Sequence, residues 1–381
     1  MYSSGTTGLP KSIVHGAGGT LIQHLKELRL HTNITIDDTI FYFTTCGWMM
    51  WNWLISNLAI GATIVLYDGN PFYPDPNVMW DMVDEFKITH FGTSAKFIDA
   101  CKQENLAPIS SHSLESMKII LSTGSPLIEE SYDYVYKQIK RDVQLSSISG
   151  GTDIISCFAG GNPILPVHRG EIQCRGLGMA VKSFDNDGKS LLNHKGELVC
   201  TKPFPSMPIY FWNDQDNEKY DNAYFKKFPG IWNHGDFILI NEHGGVQIFG
   251  RSDATLNPGG VRIGTAEIYR IVESFEEVED SLVIGQSWDG DERIILFLKL
   301  IEPDSINHDL INKINTSIRT NCSPRHVPSI TLETKDIPYT INGKKVEIAV
   351  KRIIEGDEVK NRDALSNPES LELYENIPDI S

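Results

Sequence analysis

The chain has 381 residues, of which 40% are hydrophobic and 22% charged, enough for two domains or one large one with an appendage. Its formal net charge of −16 repels phosphate backbones and anionic membranes, which argues against nucleic acid or a membrane as partner. The cysteines at 46, 101, 157, 174, 200 and 322 form no C-x-x-C pair, so free thiols in a reducing compartment are expected, with Cys157, Cys174 and Cys200 as buried small hydrophobes. An anionic ligand must therefore be drawn in by a local cluster of donors.

In chain order, Met1 leads into polar residues and glycine, not into a secretory leader. Residues 3–11 read Ser-Ser-Gly-Thr-Thr-Gly-Leu-Pro-Lys. Glycines let backbone N–H groups approach an anion, hydroxyls add donors and lysine adds a point charge, which together suit a polyphosphate. The string is not a Walker A loop, because Pro10 precedes Lys11 and the spacing from Gly5 does not fit. A ligand-free loop of small polar residues has the same composition. Leu21, Leu25 and Leu28 then recur at helical spacing. Apolar runs at 39–44, 62–67, 90–93, 118–122 and 143–147 read as strands, alternating with helical patterns at 49–60, 77–87, 94–104 and 127–140. This alternation predicts an α/β region over 1–165, with a mainly parallel sheet covered on both faces.

The uncharged stretch 44–67 is long enough to span a bilayer, but Asn52, Asn57 and Gly61 interrupt it and its second half is β-branched. A buried helix followed by a buried strand is expected there. Over 166–252 the segments shorten: Gly170-Glu-Ile-Gln-Cys174 is echoed by Gly196-Glu-Leu-Val-Cys200, and Asn186-Asp-Gly188 marks a turn. These features predict an antiparallel β region. Beyond a break near Gly250-Arg-Ser-Asp253, helices near 265–274 and 308–320 and strands near 278–285 and 292–301 predict a small α+β domain over 253–354. The charged, proline-interrupted segment 355–381 reads as a loosely packed tail.

The string at 3–11 resembles the phosphate loop of the adenylate-forming ligases, which include acyl-CoA synthetases, luciferases and peptide-synthetase adenylation domains. Further motifs follow in that family's order: Gly150-Gly-Thr-Asp153, His234-Gly-Asp236, Gly250-Arg-Ser-Asp253 through Gly259-Gly-Val-Arg262, and Asn342-Gly-Lys344. Within the superfamily, Leu256-Asn257 and Arg262-Ile-Gly-Thr-Ala-Glu267 resemble the acetyl- and acetoacetyl-CoA synthetases. The stretch His15–Lys26, Trp51-Asn-Trp-Leu54, Ile337-Pro-Tyr-Thr340, Gly343-Lys-Lys-Val-Glu347 and Asn367-Pro-Glu-Ser370 resemble the acetoacetyl-CoA synthetase group in particular. The resemblance implies a large AMP-binding domain over 1–252, here partial and shortened at its N-terminus, carrying a β-rich region, followed by a swivelling domain. It implies a cytosolic ligase that uses ATP, Mg²⁺ and CoA to activate acetoacetate or a similar short acid, with no obligate protein partner.

It also implies roles. Ser4, Thr6, Thr7 and Lys11 would hold the β- and γ-phosphates, Thr152 the α-phosphate and Asp153 the Mg²⁺. The family usually has glutamate at the last position, and a loop aspartate also serves as a helix cap. Gly124, Ser125 and Pro126 would form the adenine-stacking turn, and Asp236 with Arg251 would contact the ribose. Arg262 and Lys344 would act on the reacting phosphate and carboxylate, with Lys345 as the rival to Lys344. Asp253 would be the hinge, and Gly260 and Arg319 would face CoA, although a helix-surface arginine explains Arg319 equally. Trp48, Met49, Met50 and Thr123 would line the acyl pocket, or serve simply as core. Gly150 occupies a position where acetyl-CoA synthetases carry tryptophan, which implies room for a longer acyl chain. Other short- or medium-chain ligases, and a catalytically incomplete piece that at most binds nucleotide, remain the alternatives.

Overall fold

Five strands, Thr63–Val65, Thr39–Tyr42, His90–Ser94, Ile119–Thr123 and Gln144–Ser147, lie side by side in that order, and every neighbouring pair is parallel. The computed structural model describes residues 1–2, 11–252, 256–258, 263–341, 343–359 and 362–380. Alternate residues of each strand enter different cores. Ile119 and Leu121 pack with Leu28, Ile40, Tyr42 and Trp53, whereas Ile120 packs with Phe41, Trp80 and Phe91. Burial on both faces is why these strands read as continuous apolar runs.

The covering helices begin and end for local reasons. Ser94 caps Ala95–Gln103 by accepting from the Phe97 N–H. The pattern expected over 49–60 is α-helical only over Met49–Ile55 and tightens to a 3₁₀ turn at Ser56–Ala59. There the Asn57 amide donates to the Trp53 and Leu54 carbonyls, and Gly61, at φ +85°, ends the run. Among the described residues no helix is long and apolar enough to cross a membrane.

A second five-stranded sheet runs in the order Ser190–Leu191, Val181–Phe184, Gly196–Cys200, Trp232–Ile240, Val246–Arg251. The echoed segments do not share it. Gly196–Cys200 is a fully buried central strand. Residue Ile172 makes only a bridge to Val246, and Cys174–Arg175 pairs with Ala159–Gly160 in a separate sheet. All six cysteines are free; Cys174 is half-buried instead of buried, and burial pushes the Cys101 thiol up to about 12.

The chain divides into two compact units, Ser12–His234 with Ile238–Ile248, and Gly235–Phe237 with Phe249 onward. In the second, Val278–Trp288 and Asp291–Leu300 form a hairpin through Asp289 and Gly290, both at positive φ, as a two-residue hairpin turn requires. Ile330–Glu333 adds a parallel edge strand. Helices Thr265–Val272 and His308–Asn321 cover one face. Helix Glu347–Ile354 and the chain's last turns cover the other. The expected loose tail is therefore corrected: Leu371, Tyr374 and Ile380 are all buried in that second core, adding apolar area to that face of the hairpin.

Candidate active site

The carboxyl end of the parallel sheet gathers the first group of candidates. Strand Ile119–Thr123 runs into Gly124, whose φ of +100° makes the sharp exit of the Gly124–Pro126 turn. The adjacent strand Gln144–Ser147 continues into a hairpin, Ser149–Gly151 against Ser156–Gly160, with Thr152 and Asp153 half-buried at its tip. The Thr123 hydroxyl donates to the Ile148 carbonyl at 2.8 Å and ties the two exits together. Ser94 and the Trp48 ring border Gly124 from the same end. Ligands of open α/β sheets bind at this edge. Met49 and Met50 lie deeper, buried in the core with Trp53, Leu121 and Ile155.

Gly150 has a more specific reason to be glycine. A Cβ there would overlap the Ser156 carbonyl oxygen and stand 2.5 Å from the Cys157 Cα. The missing side chain thus points at the partner strand, and close strand pairing at a register shift demands its absence.

The hairpin tip is braced from behind by residues to which the sequence motifs assign no role. Ile155 takes a left-handed φ of +47°, and its carbonyl accepts from His24 Nε2 at 2.6 Å. Glu27, 2% exposed, accepts from Ser156 Oγ, from Gln23 at 3.1 Å and from the Trp53 indole at 3.0 Å, with Lys26 at 3.2 Å. Burial would raise the Glu27 carboxyl, but Lys26 and the Ser156 hydroxyl outweigh it and hold its pKa below the usual value. Burial pushes the His24 pKa below the ordinary histidine value. Asp153 accepts from the Tyr224 hydroxyl at 2.5 Å, and Tyr224 stacks on Trp232 at 3.7 Å.

In the second unit, Asp236 and Arg251 come together at 3.6 Å, the ordering of that strand end helped by Ser252 N–H donating to the Gly235 carbonyl at 2.7 Å. The two candidate lysines differ sharply. Lys344 is exposed. Lys345 is half-buried, its ammonium held on Glu273, the Ser281 carbonyl and Asp280, the last at 2.7 Å. Arg319 is exposed on helix His308–Asn321. Lys11 is half-buried, and beside it Ser12 pairs with Tyr2 and Ile13 with Met1. Ser4, Thr6, Thr7, Asp253, Gly260 and Arg262 lie outside the described residues. Among the described residues no group of three His, Cys, Asp or Glu side chains is placed to hold a metal.

Residues 1–211, more than half of the chain, match the family model for AMP-binding enzymes. The chain belongs to the AMP-binding enzyme family. Several curated relatives of this AMP-binding enzyme are acetoacetyl-CoA synthetases. That of Gallus gallus is 59% identical over 382 residues, covering 100% of this chain and 57% of its own length. That of Rhizobium meliloti is 54% identical, covering 100% and 58%. The solved acetoacetyl-CoA synthetase from Streptomyces lividans superposes with a TM-score of 0.92 at 43% identity, over 98% of this chain and 58% of that one. An anthranilate CoA ligase solved with anthranoyl-AMP, at 21% identity and a TM-score of 0.76, shares the fold. The resemblance read from the sequence motifs holds over the whole chain, and the chain spans less than two thirds of the length of these relatives.

Proposed function

We propose that this AMP-binding enzyme chain belongs to an ATP-dependent acid–thiol ligase of the cytosol that activates acetoacetate and transfers it to CoA. The observation that carries the reading is identity of 54–59% to acetoacetyl-CoA synthetases over the entire chain. In the first half-reaction an acetoacetate oxygen attacks the α-phosphorus of ATP, and the bond to pyrophosphate breaks. In the second, the CoA sulfur attacks the acyl carbon, the thiol proton passes to solvent and AMP leaves.

This chain's residues divide the work. Thr152 at the hairpin tip donates to the α-phosphate, beside the Gly124–Pro126 turn that stacks on adenine. Asp236 accepts from the ribose hydroxyls and Arg251 orients it. Ser4, Thr6, Thr7 and Lys11 hold the outer phosphates. Lys344 and Arg262 balance the charge that builds on carboxylate and phosphate oxygens. Residues 253–354 swivel about Asp253 between the two halves, bringing Gly260 and Arg319 to CoA. Asp153 offers one carboxylate, steadied by Tyr224. That donor set fits Mg²⁺, which takes one or two carboxylates and fills its shell with phosphate oxygens and water. When bound, the cation neutralises phosphate charge. The acyl group would rest against Trp48 and Thr123, with Gly150 serving the strand pairing beneath.

The test is acetoacetate-dependent ATP–pyrophosphate exchange, with butyrate as the competing acid. Lys344→Ala is expected to lower exchange by about 10²–10³-fold, the usual loss for one transition-state charge donor. Transfer from synthetic acetoacetyl-AMP to CoA is expected to persist. Absence of exchange from folded protein at high ATP would sink the ligase reading for this chain. It would favour nucleotide binding without turnover, which a span of 57–58% of the relatives' length also allows.

A further inference from the structure

Both arms of the turn that presents Lys344 are tied to a single carboxylate. Tyr339 and Lys345 form an antiparallel bridge. Between them the Thr340 N–H donates to the Lys344 carbonyl at 2.8 Å, the Lys344 N–H to Thr340 Oγ1 at 3.1 Å and the Gly343 N–H to the Thr340 carbonyl at 2.8 Å. Beneath this turn the Tyr339 hydroxyl donates to Asp280 Oδ2 at 2.5 Å, and the Lys345 ammonium pairs with Asp280 Oδ1 at 2.7 Å. Asp280 follows a register shift in strand Val278–Trp288, and irregularities of this kind re-aim side chains.

The shell is complete. Glu273, Asp280 and the Ser281 carbonyl give the ammonium three acceptors for its three N–H groups, and the Tyr269 ring lies 4.1 Å from it. Burial would push Lys345 down, but Glu273 and Asp280 outweigh it and hold its pKa above the usual lysine value. Lys344, one residue away, is exposed.

We propose that Asp280 is a positioning residue for adenylation: by holding Tyr339 on one oxygen and Lys345 on the other, it fixes the turn from which Lys344 reaches the reacting oxygens. The inference rests on the ligase reading of Lys344. Its force is geometric, since misplacing a catalytic group by about 1 Å can cost on the order of 10²-fold in rate.

Tyr339→Phe and Asp280→Asn in the full chain test it, the phenylalanine variant removing one hydroxyl in case the asparagine variant does not fold. Hydrogen exchange at the Thr340, Gly343 and Lys344 amides is expected to quicken about ten-fold in either variant, and unchanged protection in a folded variant overturns the clamp. ATP–pyrophosphate exchange is expected to fall about ten-fold while transfer from acetoacetyl-AMP stays within about two-fold of wild type. Combining Tyr339→Phe with Lys344→Ala is expected to add no further loss. Equal loss in both half-reactions, or full additivity with Lys344→Ala, overturns the positioning role. If Lys344→Ala itself leaves exchange intact, or wild type shows none, the ligase reading fails and takes the catalytic part of this proposal with it. The amide protection still decides the clamp separately.

Discussion

The hairpin tip at Thr152–Asp153 and the turn at Thr340–Lys344 each hold up a candidate site residue and fasten it from beneath with a carboxylate, Glu27 buried and Asp280 half-buried. The fastenings differ in charge. Glu27 is surrounded mostly by neutral donors, Ser156, Gln23 and Trp53, with Lys26 as its single cation. Asp280 shares an ammonium with Glu273. A group that must meet substrate has to stay accessible, so in both places its neighbours supply the restraint. The neutral shell depends wholly on one anion, whereas the charged shell has a second anion in reserve.

Removing the anion is the strongest way to break this comparison. Glu27→Ala is expected to destabilise the first unit by about 3–5 kcal/mol, because Lys26 and three buried donors lose their acceptor together. Asp280→Asn leaves Glu273 on Lys345 and is expected to cost the second unit about 1.5–3 kcal/mol, the range for one hydrogen bond to a charged group. Urea unfolding reads both: Trp53, Trp80 and Trp232 report on the first unit, Trp288 on the second. Equal losses would show that the reserve anion carries no weight.

A smaller effect is expected at the foot of the hairpin. Gly150→Ala puts a methyl group against the Ser156 carbonyl and should cost about 1–3 kcal/mol, the range for overpacking. Urea midpoints with and without acetoacetate separate the two explanations of this glycine. Lost stability at unchanged acetoacetate affinity marks strand pairing as the reason. Lost affinity at unchanged stability would return Gly150 to the acyl pocket.

How much of this was legible beforehand follows from distance along the chain. Strands 90–94 and 119–123 announce themselves because both faces are buried, and the phosphate-loop, hairpin-tip and lysine motifs are local strings. Strand Ile330–Glu333 was missed because it is four residues long and half-buried throughout, giving neither a continuous apolar run nor clean alternation. Helix Glu347–Ile354 carries its spacing in Val346, Ala349 and Val350, but its eight residues give only a short signal. The braces could not be read at all. Lys26-Glu27 looks like a solvated helix face, and the donors that hold Glu27 inside include Trp53, 26 residues away, and Ser156, 129 residues away. Likewise the pair Lys344-Lys345 is symmetric as a string, and the difference comes from Glu273 and Asp280, 72 and 65 positions earlier.

Acid should act on the two fastenings unequally, and this is the gentlest test. The first unit buries His24, His31, His90 and His234, whereas the ion cluster around Lys345 contains no histidine among its described members. Burial holds the rings of His24, His31 and His90 below the ordinary histidine pKa. His31 shows the geometry: Nδ1 donates to the Gly161 carbonyl at 2.7 Å and Nε2 accepts from the Leu177 N–H at 2.9 Å. A proton on Nε2 would therefore displace a backbone donor. The unfolded chain takes up these protons as pH falls through about 6.5, while the folded chain does not until lower pH. Between those limits the unfolded state binds more protons, so stability is complete above about pH 6.5 and declines as pH falls below it. Hydrogen exchange of the Ile154–Phe158 amides is thus expected to quicken on going from pH 7.5 to 5, after correction for the intrinsic rate. The Leu282–Ile284 amides, beside the Lys345 cluster, should hold their protection over the same interval. Parallel loss in both stretches would mean that the neutral and charged fastenings answer acid alike, and that the buried histidines do not set the first unit's response.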